Sequence, residues 1–176
     1  FNLSRNDILL GKDTTLSEKD KAELQIILDR IVHGEPVQYV LGREEFCGHM
    51  FVVNSNVLIP RPETQQLVHL VEQNVVKGES VLDVGTGSGC IAITLSLMGF
   101  KVTAFDVSGE ALEIAEQNAK RLGADVSFEC ENILQPKSHA KQWKVIVSNP
   151  PYICSSEAKE MVDNVLCHEP HLALFV

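Results

Sequence analysis

The stretch Ser80-Val81-Leu82-Asp83-Val84-Gly85-Thr86-Gly87-Ser88-Gly89 decides the fold class of this chain. Its first half is a short apolar run, which is typical of a buried strand. The glycines that follow let the backbone turn sharply and approach a ligand closely. A helix predicted from Cys90 to Leu97 presents its unpaired N–H groups at the same point. This order of strand, glycine loop and helix predicts an α/β sheet that binds a ligand at the carboxyl ends of its strands.

Strands and helices alternate beyond this loop. Hydrophobic periodicity predicts a strand from Lys101 to Phe105 ending at Asp106, a helix from Ser108 to about Leu122 followed by Gly123, and strands at 125–130 and 144–148. Such alternation is typical of a parallel sheet with helices on its faces. We therefore predict an α/β fold.

The residues up to Gly34 are predicted to be helical. Ser17 and Asp20 have the spacing of a capping box at the start of one helix, and Gly34 ends it. The apolar residues of this helix recur at helical spacing and are Leu24, Ile27, Leu28 and Ile31. We interpret residues 1–34 as the remainder of a helical domain.

A linker of different character occupies residues 35–62. Residues 46–53 are typical of a β-hairpin that turns near Gly48. Pro62 suits the first turn of the next helix, whose apolar face we assign to Leu67, Leu70 and Val71. The ligand-binding α/β domain then covers residues 63–176.

Charge and cysteine content restrict the class of protein. The net charge of −9 disfavours a surface that wraps a nucleic-acid backbone, and it suits a small molecule or a basic protein partner. The five cysteines show no C-x-x-C spacing, which indicates reduced thiols rather than a disulfide framework or a zinc site. No apolar run is long enough to span a membrane and no secretory signal opens the sequence, so we expect a cytoplasmic protein without membrane contact.

Both ends of the sequence suggest a longer protein. The first residue is Phe1 rather than Met, and residues 172–176 have the composition of a strand cut short. We therefore expect sequence to be missing at both ends.

An acidic residue accompanies the glycine loop. Asp106 lies 21 positions after Gly85, where a carboxylate can accept hydrogen bonds from both hydroxyls of a ribose. The third glycine, Gly89, stands one position too early for the dinucleotide pattern G-x-G-x-x-G. The tighter G-x-G-x-G after Asp83 resembles the cofactor loop of Rossmann-like methyltransferases, which implies S-adenosylmethionine; a structural tight turn is the alternative. The cofactor contacts implied here are Asp83, Gly85, Thr86, Gly87, Gly89 and Asp106.

The tetrapeptide Asn149-Pro150-Pro151-Tyr152 follows the fourth strand, beside the glycine loop. An amide nitrogen is a poor nucleophile because its lone pair is delocalised into the carbonyl. Two hydrogen-bond acceptors can orient it, and the side-chain oxygen of Asn149 and the carbonyl of Pro150 are the candidates. The prolines stiffen the turn, and Tyr152 offers a flat wall for a planar group. The alternative is an ordinary loop, because Asn and Pro are common turn residues.

In this order the motifs resemble the HemK/PrmC family, the glutamine-N5 methyltransferases of peptide-chain release factors. The resemblance is carried by residues 34–42, Glu45-Phe46, 59–64, 83–89, Asp106, 149–152 and Glu169-Pro170. It implies a Rossmann-like S-adenosylmethionine-dependent methyltransferase fold with a β-hairpin linker. It also implies that the N-terminal residues are part of a helical domain that helps to dock the release factor. The last strands of the catalytic domain would then be missing after Val176. The implied substrate is the Gln of the Gly-Gly-Gln loop of a release factor, and we expect a monomer. The implied catalytic residues are Asn149, Pro150 and Tyr152, and the implied substrate contacts are these three with Pro151.

Two positions depart from the family pattern. Gln65 stands where the family usually has Glu, and Asn132 aligns with an acidic residue suited to the adenine amino group. An Asn oxygen can still accept that hydrogen bond. We therefore assign Val107, Asn132 and Ile133 to the cofactor site, together with Asn149.

Three other features have less specific interpretations. Arg61 is either a structural ion-pair partner or a substrate contact. Trp143 precedes the fourth strand and is interpreted as a packing residue. His168 and His171 are three positions apart with Pro170 between them, so the spacing of a zinc-binding helix is missing and no metal site is predicted.

Two other functions compete with glutamine methylation. Nucleic-acid enzymes that methylate the exocyclic amines of adenine (N6) or guanine (N2) use a similar turn, but the acidic charge balance and the segment 60–64 count against them. The second alternative is a cofactor-binding domain that docks a partner without turnover.

Overall fold

The structure, a computed structural model, describes residues 4–12, 15–135, 141–154, 156–157 and 163–176. Its helices are α1 (Arg5–Leu9), α2 (Glu18–Val32), α3 (Val37–Leu41), α4 (Gln65–Asn74), α5 (Cys90–Leu97), α6 (Gly109–Leu122), α7 (Asp163–His168) and α8 (His171–Leu174), with a 3-10 helix at Pro62–Thr64. Its strands are β1 (Arg43–Phe46), β2 (His49–Val52), β3 (Ser80–Val84), β4 (Lys101–Asp106), β5 (Val126–Cys130) and β6 (Val145–Ser148). Within these ranges no helix is long and apolar enough to cross a membrane. Residues 1–3 and 13–14 of the predicted helical part lie outside them.

Strands β3 to β6 form the parallel sheet that the sequence predicts, in the spatial order β5-β4-β3-β6. Val84 pairs with Phe105 on one side and with Ser148 on the other, and Asp106 pairs with Cys130. The carboxyl ends of all four strands therefore meet at one edge of the sheet. The residues that leave the sheet at this edge are Gly85, Val107, Glu131 and Asn149.

One hydrophobic cluster joins the sheet, helices α4 and α5, and the hairpin. Helix α5 is buried from Cys90 to Leu95, which suits a helix that is apolar on all sides. The hairpin contributes Phe46 and Phe51, whose rings meet edge to face with 6.1 Å between centroids. Trp143 packs edge to face on Phe105 at 5.7 Å, so its predicted packing role is confirmed.

The hairpin of β1 and β2 turns at Cys47 and Gly48, so the predicted turn near Gly48 is confirmed. The φ angles of these two residues are 48° and 76°. Positive φ at both turn residues matches the twist of the flanking strands. The first strand begins at Arg43 and therefore precedes the predicted range 46–53.

Asn118 of α6 joins the hairpin to the glycine loop. Its Oδ1 accepts a hydrogen bond from the N–H of Val52 at 2.7 Å, and its Nδ2 donates to the carbonyls of Val52 and Ser88, both at 3.0 Å. The side chain is fully buried, where an unpaired amide would cost about 1–3 kcal/mol. These hydrogen bonds attach the hairpin firmly to the α/β domain.

Local signals define helix α2. The predicted capping box is present: Ser17 Oγ accepts from the N–H of Asp20 at 3.2 Å, and Asp20 Oδ2 accepts from the N–H of Ser17 at 3.1 Å. The chain leaves the helix through Gly34, whose φ is 90°. No side chain of α2 is buried against the described part of the chain.

The buried face of α4 differs from the predicted one. Leu70 is 56% exposed, whereas Val68 and Val71 are buried in the hydrophobic cluster. Thr64, Val68 and Val71 are buried at spacings of four and three residues, which places them on one face of this helical segment. The prediction of Leu70 on this face is therefore wrong, and Val68 takes its place.

The segment 172–176 is not the strand that its composition predicts. A helical turn, α8, follows Pro170, whose carbonyl accepts from the N–H of Ala173 at 2.9 Å. Only Phe175 then makes an isolated parallel bridge, to Ile153. Proline favours the first turn of a helix, and this outweighs the strand propensity of the residues that follow.

Candidate functional site

A cavity of about 700 Å³ opens at the carboxyl edge of the sheet. Its wall combines the residues that follow the four parallel strands with parts of the linker and the C-terminal segment. Among the wall residues are Gly85, Thr86, Gly87, Ser88, Asp106, Val107, Glu131, Asn132, Ile133, Asn149, Pro150, Pro151, Arg61, Thr64, Pro170, Leu172 and Phe175. The volume lies in the range of small-molecule and cofactor sites.

The glycine loop forms one wall of the cavity. Gly85 and Gly87 have φ angles of 73° and 54°, which other residues rarely adopt. A Cβ added at either glycine would meet no atom within 4 Å, so the loop presents open backbone. The N–H groups of Gly85 and Thr86 donate to the carbonyl of Phe105 at 2.9 and 3.0 Å, which fixes the loop on the end of β4.

Asp106 lies beside this loop on the cavity wall. Its Oδ2 accepts from the N–H of Gly87 at 2.8 Å, and its Oδ1 accepts from the N–H of Ser108 at 3.0 Å. Each carboxylate oxygen can accept a further hydrogen bond. The side chain is thus held in place by backbone donors and can still bind a pair of hydroxyl groups.

Asp83 lies behind the loop and is not part of the cavity wall. The hydroxyl of Thr86 donates to its Oδ2 at 2.7 Å. Burial raises the pKa of Asp83 to about 7, although the Thr86 hydrogen bond acts in the opposite direction. The predicted direct contact with a cofactor therefore does not fit the geometry, and Asp83 acts on the loop through Thr86.

Gly89 also lies away from the cavity wall, against the prediction that it contacts a cofactor. Its φ is 80°, and a Cβ at this position would come within 2.8 Å of Ile93 Cδ1 and 3.1 Å of Ala115 Cβ. The third glycine of the motif therefore lets α5 and α6 approach each other closely. Its role in the structure is packing.

We expect Gly89→Ala to lower the free energy of unfolding by about 2–4 kcal/mol, since it combines a left-handed backbone with overpacking. Gly123→Ala is the matched control, because Gly123 has a φ of 74° and no atom within 4 Å of an added Cβ. The control should lose only about 1–2 kcal/mol. Urea unfolding of both variants measures the difference, and equal losses would contradict the packing role of Gly89.

Asn132 lies on the cavity wall, and an acidic residue, Glu131, precedes it there. Asn132 is exposed, and its Oδ1 accepts from the N–H of Leu134 at 3.0 Å. Glu131 is buried and lies on the cavity wall, and its N–H donates to the carbonyl of Asp106 at 2.9 Å. Glu131 follows β5 directly and is not among the residues predicted from the sequence. Val107 and Ile133 lie on the wall as expected.

The turn after β6 brings Asn149, Pro150 and Pro151 to the cavity wall. Asn149 Nδ2 donates to Thr64 Oγ1 at 3.3 Å, and its Oδ1 makes no hydrogen bond with the described residues. Tyr152 is 76% exposed and lies beside the cavity rather than on its wall, and its role as a flat surface for the substrate stays a prediction. Among the described residues, Phe175 contributes an aromatic ring to the wall.

Arg61 forms an ion pair with Glu169, with 2.5 Å between Nη2 and Oε1. The Glu169 side chain is 2% exposed and also accepts from the N–H of Ile59 at 3.4 Å. Of the two interpretations of Arg61, the ion pair is present. It holds the linker against the C-terminal segment, and Arg61 also borders the cavity.

His171 contacts groups other than a metal site. His171 Nε2 lies 2.9 Å from the carbonyl of Leu166, and its ring packs edge to face on Phe175. Among the residues that the structure describes, no group of three or more His, Cys, Asp or Glu side chains is placed to hold a metal ion.

Comparisons with known proteins agree with this geometry. The family model "Methyltransferase small domain" matches residues 62–174, and "PrmC N-terminal domain" matches residues 1–42. Release factor glutamine methyltransferases from Bacteroides thetaiotaomicron and Flavobacterium psychrophilum are 47% and 44% identical over 97% and 99% of this chain. The chain spans 62% and 64% of the length of these two relatives. The resemblance found in the motifs is therefore confirmed.

A solved structure shares the fold. The Pyrococcus abyssi tRNA (uracil-54, C5)-methyltransferase in complex with S-adenosyl-L-homocysteine aligns with a TM-score of 0.51 and 30% identity. The alignment covers 61% of this chain and 28% of that one. The predicted Rossmann-like methyltransferase fold is confirmed, and the chain belongs to the methyltransferase small domain family.

Proposed function

We propose that this chain transfers a methyl group from S-adenosylmethionine to the side-chain amide nitrogen of a glutamine in a protein. The observation that carries the proposal is the position of Asn149 and Pro150 on the wall that also contains the glycine loop. Two acceptors there can bind the two N–H groups of an amide.

The cavity fits the proposed cofactor in size and chemistry. The open backbone at Gly85 and Gly87 suits the amino-acid end, and Asp106 suits the ribose hydroxyls. Val107 and Ile133 are apolar wall residues suited to the adenine ring. Asp106 and Glu131 place two acidic side chains on the wall, which favours a ligand that carries a sulfonium and an ammonium group.

The residues of the turn supply orientation. S-adenosylmethionine, when bound, supplies an activated methyl group. Asn149 Oδ1 and the carbonyl of Pro150 each accept one N–H of the substrate amide, which fixes the nitrogen and favours a pyramidal geometry. No general base is needed before transfer, because the methylated nitrogen releases its proton afterwards. Most of the rate therefore comes from positioning and electrostatic alignment.

We infer the substrate from the relatives, which are named release factor glutamine methyltransferases. The proposed substrate is the Gln of the Gly-Gly-Gln loop of a peptide-chain release factor. The net charge of −9 favours a basic protein surface over nucleic acid as the partner. We further propose that residues 1–34 help to dock this partner, that 35–62 link them to the catalytic domain 63–176, and that the protein acts as a cytoplasmic monomer.

Methyl-labelled cofactor tests the proposed function. The protein is incubated in parallel with a release factor, with its Gln→Ala loop variant and with nucleic acid. Label on the release factor that disappears with the loop variant supports the proposal. Label on nucleic acid contradicts it and favours amine methylation there, whereas cofactor binding without any transfer favours a docking domain.

We expect Asp106→Ala to weaken cofactor binding by about 10- to 100-fold, because a charged acceptor of two hydroxyl groups is lost and the N–H of Gly87 loses its partner. Asp125→Ala is a matched control, since Asp125 is exposed and lies outside the cavity wall. Calorimetric titration with S-adenosylhomocysteine measures both affinities. Unchanged affinity of the Asp106 variant would refute the ribose assignment.

A further inference from the structure

We propose that Thr64 is a positioning residue for methyl transfer. Its hydroxyl oxygen accepts a hydrogen bond from Nδ2 of Asn149, which leaves Oδ1 of Asn149 available to the substrate. This inference rests on the proposed amide methylation. It adds a residue from the 3-10 helix at Pro62–Thr64 to the residues that follow the sheet strands.

The side chains of Thr64 and Asn149 are in contact with each other on the cavity wall. Asn149 Nδ2 lies 3.3 Å from Thr64 Oγ1, although the two residues are 85 positions apart in the sequence. Both residues belong to the wall, and Thr64 is buried with 8% of its surface exposed. The hydrogen bond therefore lies at the site itself and not on the outer surface.

The chemistry of the amide makes its orientation important. A primary amide carries a donor end and an acceptor end. If the nitrogen of Asn149 faced the substrate, its N–H groups would oppose the N–H groups of the glutamine amide. With Nδ2 bound to Thr64, the acceptor Oδ1 is the end that remains, and it makes no hydrogen bond with the described residues.

Thr64 is itself well held. Its N–H donates to the carbonyl of Arg61 at 3.0 Å, in the 3-10 helix that leads into α4. Arg61 is fixed by its ion pair with Glu169, and Val68, one turn after Thr64, is buried in the hydrophobic cluster. A group that orients a reacting side chain needs such support to keep its geometry.

Two variants of Thr64 test the proposal, because Thr64→Ser keeps the hydroxyl and Thr64→Ala removes it. We expect Thr64→Ala to lower kcat by about 10- to 100-fold, since small displacements of an orienting group have effects of this size. Thr64→Ser should recover most of the loss. KM for the release factor and the affinity for S-adenosylhomocysteine should stay near the parent values in both variants.

Thr103→Ala is the matched control, because Thr103 has the same 8% exposure and lies outside the cavity wall. Equal kcat for the Ser and Ala variants of Thr64 would overturn the inference, as would a loss of cofactor affinity that matches the loss of kcat. If the parent protein and the control methylate the release factor in that case, only the role of Thr64 is wrong. If the parent protein transfers no methyl group to the release factor, the proposed function fails and the inference fails with it.

Discussion

Asn149→Ala is expected to reduce kcat for glutamine methylation by about 100- to 1000-fold, the range seen when one preorganised electrostatic contact is removed from an active site. The variant loses the acceptor Oδ1 but leaves the glycine loop and Asp106 unchanged. Cofactor affinity should therefore survive. The comparison of single-turnover transfer with calorimetric binding of S-adenosylhomocysteine separates these two effects.

Asn74→Ala serves as the control for this variant. Asn74 is exposed at the end of α4, and its Nδ2 donates to the carbonyl of Leu70 rather than to any group of the cavity wall. Its removal should leave kcat at the parent value. Near-full turnover of Asn149→Ala would show that the amide nitrogen is not oriented by this side chain, and the proposed mechanism would then be wrong.

Arg61→Met is expected to lower the free energy of unfolding by about 3 kcal/mol, because it leaves a buried carboxylate without its ionic partner. The side chain of Glu169 is 2% exposed, and its remaining hydrogen bond is the long one from the N–H of Ile59. Glu169→Gln should cost less, about 1–2 kcal/mol. The reason is that the Arg61 side chain is 38% exposed and can be solvated.

Urea unfolding of the two single variants and the double variant measures this asymmetry and the coupling between the side chains. Arg121→Met is a control on the exposed end of α6 and should change stability by less than about 0.5 kcal/mol. A larger loss of unfolding free energy for Glu169→Gln than for Arg61→Met would contradict the view that the unpaired buried carboxylate is the main cause of the destabilisation.

Features that depend on neighbouring residues in the sequence could be predicted. The capping box of Ser17 and Asp20 forms within one helical turn, and the hairpin turn at Gly48 is set by its own backbone angles. The parallel sheet follows from alternating strands and helices. Because such sheets bring their carboxyl ends together, the positions of Asp106 and Asn149 at one cavity could also be predicted.

Features that depend on distant contacts could not be predicted. The motif indicates that Gly89 binds a ligand, but its φ and its distance to Ala115, on another helix, assign it to packing. The exposure of Tyr152 likewise depends on where the chain runs after the turn. The place of Glu131 could not be predicted either, because its burial depends on residues that are distant in the sequence, and both Glu131 and Asn132 lie on the cavity wall.

The hydrogen bonds of Asn118 also limit how freely the segments before the sheet can move. They fasten the hairpin to α6, and Tyr39 Oη donates to the carbonyl of Val57 at 2.6 Å, so the hairpin and α3 are each tied to other parts of the chain. The turn at Gly34 is bridged in the same way, because Arg30 donates from Nε and Nη2 to the two carboxylate oxygens of Glu35 at 2.7 and 2.6 Å. Any movement of α2 about that turn would therefore have to break this ion pair.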